Sequence, residues 1–399
     1  MVSILPDEEK IILQPRYVEE FQCNGHECNA HCCQKWRINI DSHTYKKYQR
    51  IKNPDIRKKI ISSIEPDDMI SGNMLIKLNS EGICPLLDAD KLCYIQRNLG
   101  EDMLSFTCQE YPRTVRHING CQIRILSMTC PVAAKHALFS EHGMDIEQVL
   151  SPSDDNAWKI ASVSNNLNES IDTRVVANVV LGGLSILQNA NYTREQRMII
   201  LGIFLDAVDD YKSLPDCADA IFNLALSYNN NEKFSKQIKT VFDNWNFYPT
   251  AHNQLLTGVL STLHLKGKFK FALPLIDQVR NYAQNYDKFH SVAEKEFKNV
   301  IDNYWQQEFL YHGFPFCLNG SFMHNYFAYL MAYKIWEMYL FNHLSIHNCT
   351  VSNDEILQLI TTYSKELDHI DKFVEHLVAH ILPFETQPIK LMQVMLRLK

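Results

Sequence analysis

Beyond about residue 150, apolar residues recur at the three- and four-residue spacing of amphipathic helices. In the stretch that opens at Arg174, the residues Val175, Val176, Val179, Val180, Leu184 and Leu187 share one helical face. Thr193, followed three residues later by Gln196, has the form of a capping box, and Ile199, Ile200, Ile203, Phe204 and Ala207 make the inward stripe of the helix it opens. Ser352 and Glu355 repeat the device. They predict one long helix with Ile356, Leu359, Ile360, Tyr363, Leu367, Ile370 and Leu377 facing inward, stopping before Pro383. Only 13 glycines and 14 prolines interrupt the 399 residues, so the expected fold class is mainly α. The turn-rich run Ser151–Asn156 divides it into a small cysteine-rich metal-binding region, 1–150, and a larger helical domain, 151–399, expected to bind a substrate or partner. Asn229, Asn230, Asn231 and Glu232 read as a loop between helices, and Gly182-Gly183, inside a helical pattern, as a packing contact rather than a nucleotide-binding turn.

Length and charge narrow the classes. A chain of 399 residues can bury a core without covalent staples. The amino terminus lacks the basic and apolar regions of a secretory signal, and no apolar run approaches roughly 20 residues. The expectation is a soluble, cytoplasmic protein without a membrane partner. A formal charge of −7 argues against generic nucleic-acid binding. One stretch departs from that balance. From Lys35 to Lys59 there are nine basic residues against two acidic ones, Asp41 and Asp55. A solvated helix face is the simpler reading and a patch for an acidic partner the other.

The chemistry lies in the cysteines. Nine of the 12 fall between Cys23 and Cys130, and thiol clustering in a reducing compartment favours metal ligation over disulfides. The pattern runs Cys23-x4-Cys28-x3-Cys32-Cys33-x2-Trp36, then Cys84-Pro-Leu-Leu-Asp88-x4-Cys93, then Thr107-Cys108-x2-Tyr111-Pro-Arg113, with Cys121 and Cys130-Pro131 closing it. Close spacings let several thiolates leave one loop while later ones complete the shell, which suits both zinc and iron-sulfur clusters. His26, His31, His117 and His136 lie nearby without marking themselves as ligands. A radical S-adenosylmethionine signature begins at Cys28-x3-Cys32 but meets Lys35 where the third cysteine is required.

These motifs resemble the cysteine-cluster proteins described as zinc- or iron-chelating and, within them, the flagellin lysine-N-methylases. The resemblance rests on Phe21-Gln-Cys23 through Trp36, Ile40-Asp41, Tyr45-x2-Tyr48, Cys84-Pro-Leu-Leu-Asp88 and Leu104-Ser-Phe-Thr-Cys108-Gln-Glu-Tyr-Pro-Arg113. A fainter echo lies in Asn303-Tyr304-Trp305 and Phe314-Pro315-Phe316. It is dense over the first 136 residues and thin beyond. The resemblance implies a bacterial cytoplasmic enzyme that moves methyl groups from S-adenosylmethionine to lysine ε-amines of flagellin. It also implies a [4Fe-4S] cluster in preference to zinc, with Cys28, Cys32, Cys33, Cys84, Cys93, Cys108 and Cys130 as the ligand pool, Cys23 next, and Cys121 doubtful.

Such a reaction needs a group to take the lysine proton. Asp88, Glu110 and Tyr111 are the candidate catalytic residues, because they adjoin the cysteine motifs, and Arg113 is the candidate for binding the donor's carboxylate. Each has a plainer reading: a turn cap for Asp88, an ion pair between Glu110 and Arg113, a packed turn at Tyr111-Pro112. Tyr326, Tyr329 and Tyr333 share a helical face that could hold a cation over aromatic rings, although core packing accounts for it more simply, as it does for Trp305 and Trp336. The rival functions are a non-catalytic zinc-binding adaptor, an iron-sulfur redox protein, and a methylase for another lysine-bearing protein.

Overall fold

A computed structural model of the chain describes residues 11–28, 32–34, 36–68, 71–148, 162–164, 171–210, 212, 217–265, 269–368, 372–381 and 388–396. The amino-terminal ten residues, His31, Lys35, the expected boundary at 151–156, Ile370 and Pro383 lie outside them.

Helices dominate, eighteen of them among the described residues. In the helix Thr173–Leu187, Val175, Val176, Val179, Val180, Leu184 and Leu187 are all buried, and the Asp172 side chain accepts from the Arg174 N–H at 2.7 Å to start it. The capping box of the helix Arg194–Asp209 is formed in both directions: the Gln196 N–H donates to Thr193 Oγ1 at 3.3 Å, and the Thr193 N–H donates to Gln196 Oε1 at 3.0 Å. Its buried stripe keeps Ile199, Ile200 and Phe204 but leaves Ile203 and Ala207 only half-buried. Gly182 is a packing contact, since a Cβ there would stand 2.8 Å from Phe204 and 2.9 Å from Ala225.

Ser352 and Glu355 also cap each other, at 2.7 and 3.3 Å. The single long helix expected after them is instead two, Asn353–Asp368 and Phe373–Ile381. Lys372 stands between them at φ +56°, a left-handed value that cannot continue a right-handed helix.

Two sheets and several short helices occupy the chain between Ile11 and Ser164. Strands β1 (Ile11–Pro15), β5 (Arg113–Ile118), β6 (Cys121–Leu126), β7 (Ile146–Gln148) and β8 (Ser162–Ser164) form a five-stranded sheet in the order β7-β1-β6-β5-β8. β2 (Asn39–Ile40), β3 (Ile64–Pro66) and β4 (Met74–Ile76) form a three-stranded antiparallel sheet with β4 central. The β5–β6 hairpin closes through Asn119-Gly120 at φ +42° and +83°, the residue pair that tolerates two successive left-handed positions.

Two apolar cores result. The large one joins β1, β5 and β6 to the helices up to Leu396. Polar bonds fasten that junction: Tyr17 Oη donates to Gln307 Oε1 at 2.7 Å, and Gln307 Nε2 donates to the Leu126 carbonyl at 2.8 Å. Asn303 donates to the carbonyls of Leu138 and Ser140, covering groups that the end of the helix Pro131–Phe139 leaves without partners. The small core has only ten buried residues, from Ile38 to Leu104, with Cys84 among them and Cys33, Cys93 and Cys108 packed against it. The helix Phe322–Ile346, 25 residues long, runs through the large core with both flanks covered. Among the described residues no helix is long and apolar enough to cross a membrane.

Candidate functional site

The small lobe brings five thiols, those of Cys32, Cys33, Cys84, Cys93 and Cys108, into one another's electrostatic range. Backbone pairing sets them there. The Cys84 N–H donates to the Cys33 carbonyl at 2.8 Å beside a bridge between Gln34 and Ile83. Leu87 bridges Cys93 across a tight reversal in which the Lys91 N–H reaches the Asp88 carbonyl at 2.9 Å, with Lys91 at φ +63°. Cys108 sits in the first turn of the helix Phe106–Glu110, its N–H capped by Ser105 Oγ at 3.4 Å.

Their acidities differ by position. Hydrogen bonding to Cys33 lowers Cys32 to about 7, with Lys365 of the helix Asn353–Asp368 adding to the effect. Cys84 is lowered by the same Cys33 thiol, and Cys33 is correspondingly driven up, since its proton serves both neighbours. Burial raises Cys93 and pushes Cys108 up to about 12. Cys32 and Cys84 are thus favoured as thiolates, the soft donors that metals such as zinc and iron take, while hydrogen bonding keeps the proton on Cys33 and burial keeps it on Cys93 and Cys108. Among the described residues, however, no three His, Cys, Asp or Glu side chains gather closely enough to hold an ion.

Cys130 is the neighbour of Cys23 and Cys28, and burial pushes its thiol up to about 11. It caps the helix Pro131–Phe139, whose N–H groups at Val132 and Ala133 work the other way. Cys121 lies wholly inside the five-stranded sheet, where burial alone pushes it up to about 12. It packs as a small apolar residue.

The remaining sequence-selected residues border the thiols. Asp88 forms ion pairs with Lys59 at 3.4 Å and Arg97 at 3.5 Å. Glu110 is buried at the end of its helix. The Tyr111 ring packs at 5.5 Å on Trp36, whose indole donates to the Cys32 carbonyl, and its hydroxyl shares a 2.9 Å hydrogen bond with Thr129. Arg113 opens β5 and lies over the Phe21 ring at 5.8 Å. Tyr326 and Tyr329 are core residues, donating to the carbonyls of Met198 and Trp305 at 2.8 Å each.

Sequence reasoning missed a second polar centre, buried in the helical core. Lys334 Nζ donates to Glu337 Oε2 at 2.8 Å, Tyr333 Oη donates to Glu337 Oε1 at 2.8 Å, and Tyr282 donates to the same carboxylate. Burial opposes the Glu337 charge, but Lys334 and these hydrogen bonds overcome it and hold the carboxyl below its ordinary range. Glu195 meets His290 at 3.1 Å, and Arg194 and Arg197 share Asp302 at 2.9 and 2.8 Å. A charged pair three residues apart within the otherwise apolar and aromatic run Tyr326–Phe341 is the signal that was available.

The structure is thus that of a mainly helical protein in which a small thiol-rich lobe adjoins a large helical core. The family model described as the FliB lysine N-methylase C-terminal domain matches residues 183–386, just over half of the chain, and the chain belongs to that family. It is 29% identical over 314 residues to the lysine-N-methylase of Salmonella typhimurium, covering 75% of this chain and 66% of the relative. The same identity and coverage hold for the lysine-N-methylase of Salmonella choleraesuis. It is 36% identical over 142 residues to the flagellar biosynthetic protein FliU of Salmonella muenchen, covering 33% of this chain and 79% of FliU. The chain thus spans just under two thirds of the length of the two lysine-N-methylases. No solved structure matches it at a significant level.

Proposed function

We propose that the chain is a cytoplasmic protein-lysine N-methyltransferase that moves methyl groups from S-adenosylmethionine to surface lysines of flagellin. The observation that carries this reading is the similarity, over 75% of the chain, to proteins named lysine-N-methylase. The flagellar name of FliU supports flagellin as the acceptor.

In the proposed step the neutral lysine nitrogen attacks the sulfonium methyl, the carbon–sulfur bond breaks with its electron pair going to sulfur, and the new methylammonium gives up a proton. Releasing the lysine proton beforehand costs roughly 4.6 kcal/mol at neutral pH. Desolvation of the acceptor against the apolar lobe reduces that cost. Glu110, buried beside Cys108, is the first choice to accept the proton; Tyr111 and Asp88 are the alternatives, and Arg113 would hold the donor's carboxylate.

Cys32, Cys33, Cys84, Cys93 and Cys108 would supply the ligands of a [4Fe-4S] cluster, with Cys23, Cys28 and Cys130 in reserve and zinc as the alternative metal. When bound, such a group crosslinks a lobe whose own core is only ten buried residues.

Transfer of labelled methyl from S-adenosylmethionine to purified flagellin, by protein isolated without oxygen, tests the reading. Label on flagellin lysines that depends on the donor is expected. No transfer by protein carrying its metal would replace this reading with that of a metal-stabilised adaptor.

A further inference from the structure

Residues 42–62, the helices Ser42–Gln49 and Pro54–Ser62 with the connection between them, carry seven basic residues and one acidic, Asp55, on a chain whose formal charge is −7. Three of the seven have local work: Lys47 Nζ donates to the Asp102 carbonyl at 3.2 Å, Arg57 donates to the Ile51 carbonyl at 3.0 Å, and Lys59 pairs with Asp88. Lys46, Arg50, Lys52, Arg57 and Lys58 are exposed, and among the described residues none of these five meets a carboxylate. A solvated helix face ordinarily intersperses both signs; this one concentrates a single sign.

Between the two helices lies an open groove of about 540 Å³, lined by Tyr45, Gln49, Pro54, Arg57, Lys58 and Ile61. Its walls therefore alternate apolar surface with two cations. The other side of the first helix presents Thr44 and Tyr48 inward, and Tyr48 packs in the same small core as Cys33, Cys84, Cys93 and Cys108. A ligand in the groove rests on the back of the helix that covers the thiols.

We infer that this groove docks an acidic, partly apolar segment of the polypeptide on which the chain acts, an inference that rests on the proposed methyl transfer for the identity of that partner. Charge complementarity selects an acidic ligand, and the Tyr45, Pro54 and Ile61 walls select one with side chains to bury. A nucleic acid fits less well: a phosphate backbone needs a long track of cations, and the net negative charge of the remaining surface repels it.

The test measures fluorescence anisotropy of the whole protein, without methyl donor, on a labelled peptide of alternating glutamate and leucine with one lysine. The native chain binds it, more weakly as salt is raised. The Lys46→Gln/Arg57→Gln/Lys58→Gln variant binds at least about tenfold more weakly, and Lys46→Arg/Lys58→Arg, which keeps the charge, binds as the native chain does. No binding by the native chain, equal binding by the neutralised variant, or tighter binding of a single-stranded DNA oligonucleotide would overturn the inference. Peptide binding that needs these cations in a protein that transfers no methyl group upholds the docking groove and counts against the proposed reaction, so the two fail separately.

Discussion

Lys334 and Glu337 stand one helical turn apart with Nζ 2.8 Å from Oε2, in the longest helix among the described residues, and both side chains are buried. Two charges taken out of water are tolerated because each satisfies the other and two tyrosine hydroxyls satisfy the carboxylate. The pair joins the helix Phe322–Ile346 to Tyr282 on the helix Ala272–Gln284.

Breaking the pair from one side leaves an uncompensated buried charge. Lys334→Met alone is expected to cost roughly 3–5 kcal/mol of unfolding free energy, and the Lys334→Met/Glu337→Gln double variant less than the sum of the two single changes. Urea unfolding monitored by helical circular dichroism checks this.

His252 makes stability depend on acid. Its Nδ1–H donates to the Val394 carbonyl at 2.9 Å, Nε2 is buried with no hydrogen-bond partner among the described residues, and burial with nearby Lys334 lowers the ring to about 4. Because the unfolded ring binds its proton near pH 6.5, its contribution is present above that value and is lost as pH falls toward 4, about 3 kcal/mol in all. His290 acts in another window. Burial opposes its charge, but Glu195 outweighs burial and raises it, so its contribution is full below about pH 6.5 and is lost as pH rises through the raised value. Unfolding free energy measured across the acid range should fall below about pH 6.5, and fall less in His252→Gln.

The helical half of the fold was largely readable. Apolar spacing found the buried face of Thr173–Leu187, and two capping boxes located helix starts that the structure reproduces at Thr193 and Ser352. The sheets were not anticipated. β1 is buried at every position and pairs in parallel with β6, more than a hundred residues away, so neither alternation nor a local turn betrays it. The hairpin did leave a sign, Asn119-Gly120 between Val115 and Ile118 on one side and the apolar alternation of Cys121, Ile123 and Ile125 on the other. The buried charge network was hidden for a related reason: Glu195, His290 and Glu337 are distant in sequence, and only packing brings them together.

Gly182 marks where two helices approach too closely for a side chain. Gly182→Ala would press its Cβ against Phe204 and Ala225 and is expected to cost about 1–3 kcal/mol by overpacking. Thermal unfolding reads the loss, and adding Phe204→Leu should restore part of it.

The thiols separate by position. Cys33→Ala and Cys84→Ala should lower the iron, sulfide or zinc retained by protein purified without oxygen, whereas Cys121→Ala, in the sheet core, should leave metal content unchanged and lower stability alone. Metal analysis beside thermal unfolding of the same preparations distinguishes the two.

Site-resolved mass spectrometry of flagellin decides whether the thiol-rich lobe serves lysine methylation. The acceptor would be incubated with S-adenosylmethionine and either the native chain or Cys84→Ser. Methylated lysines with the native chain, and their loss with a folded Cys84→Ser protein, are the predicted result. Unmodified flagellin with native, metal-containing protein would rule out the methyl transfer, and equal methylation by both proteins would rule out a part for the thiols in it.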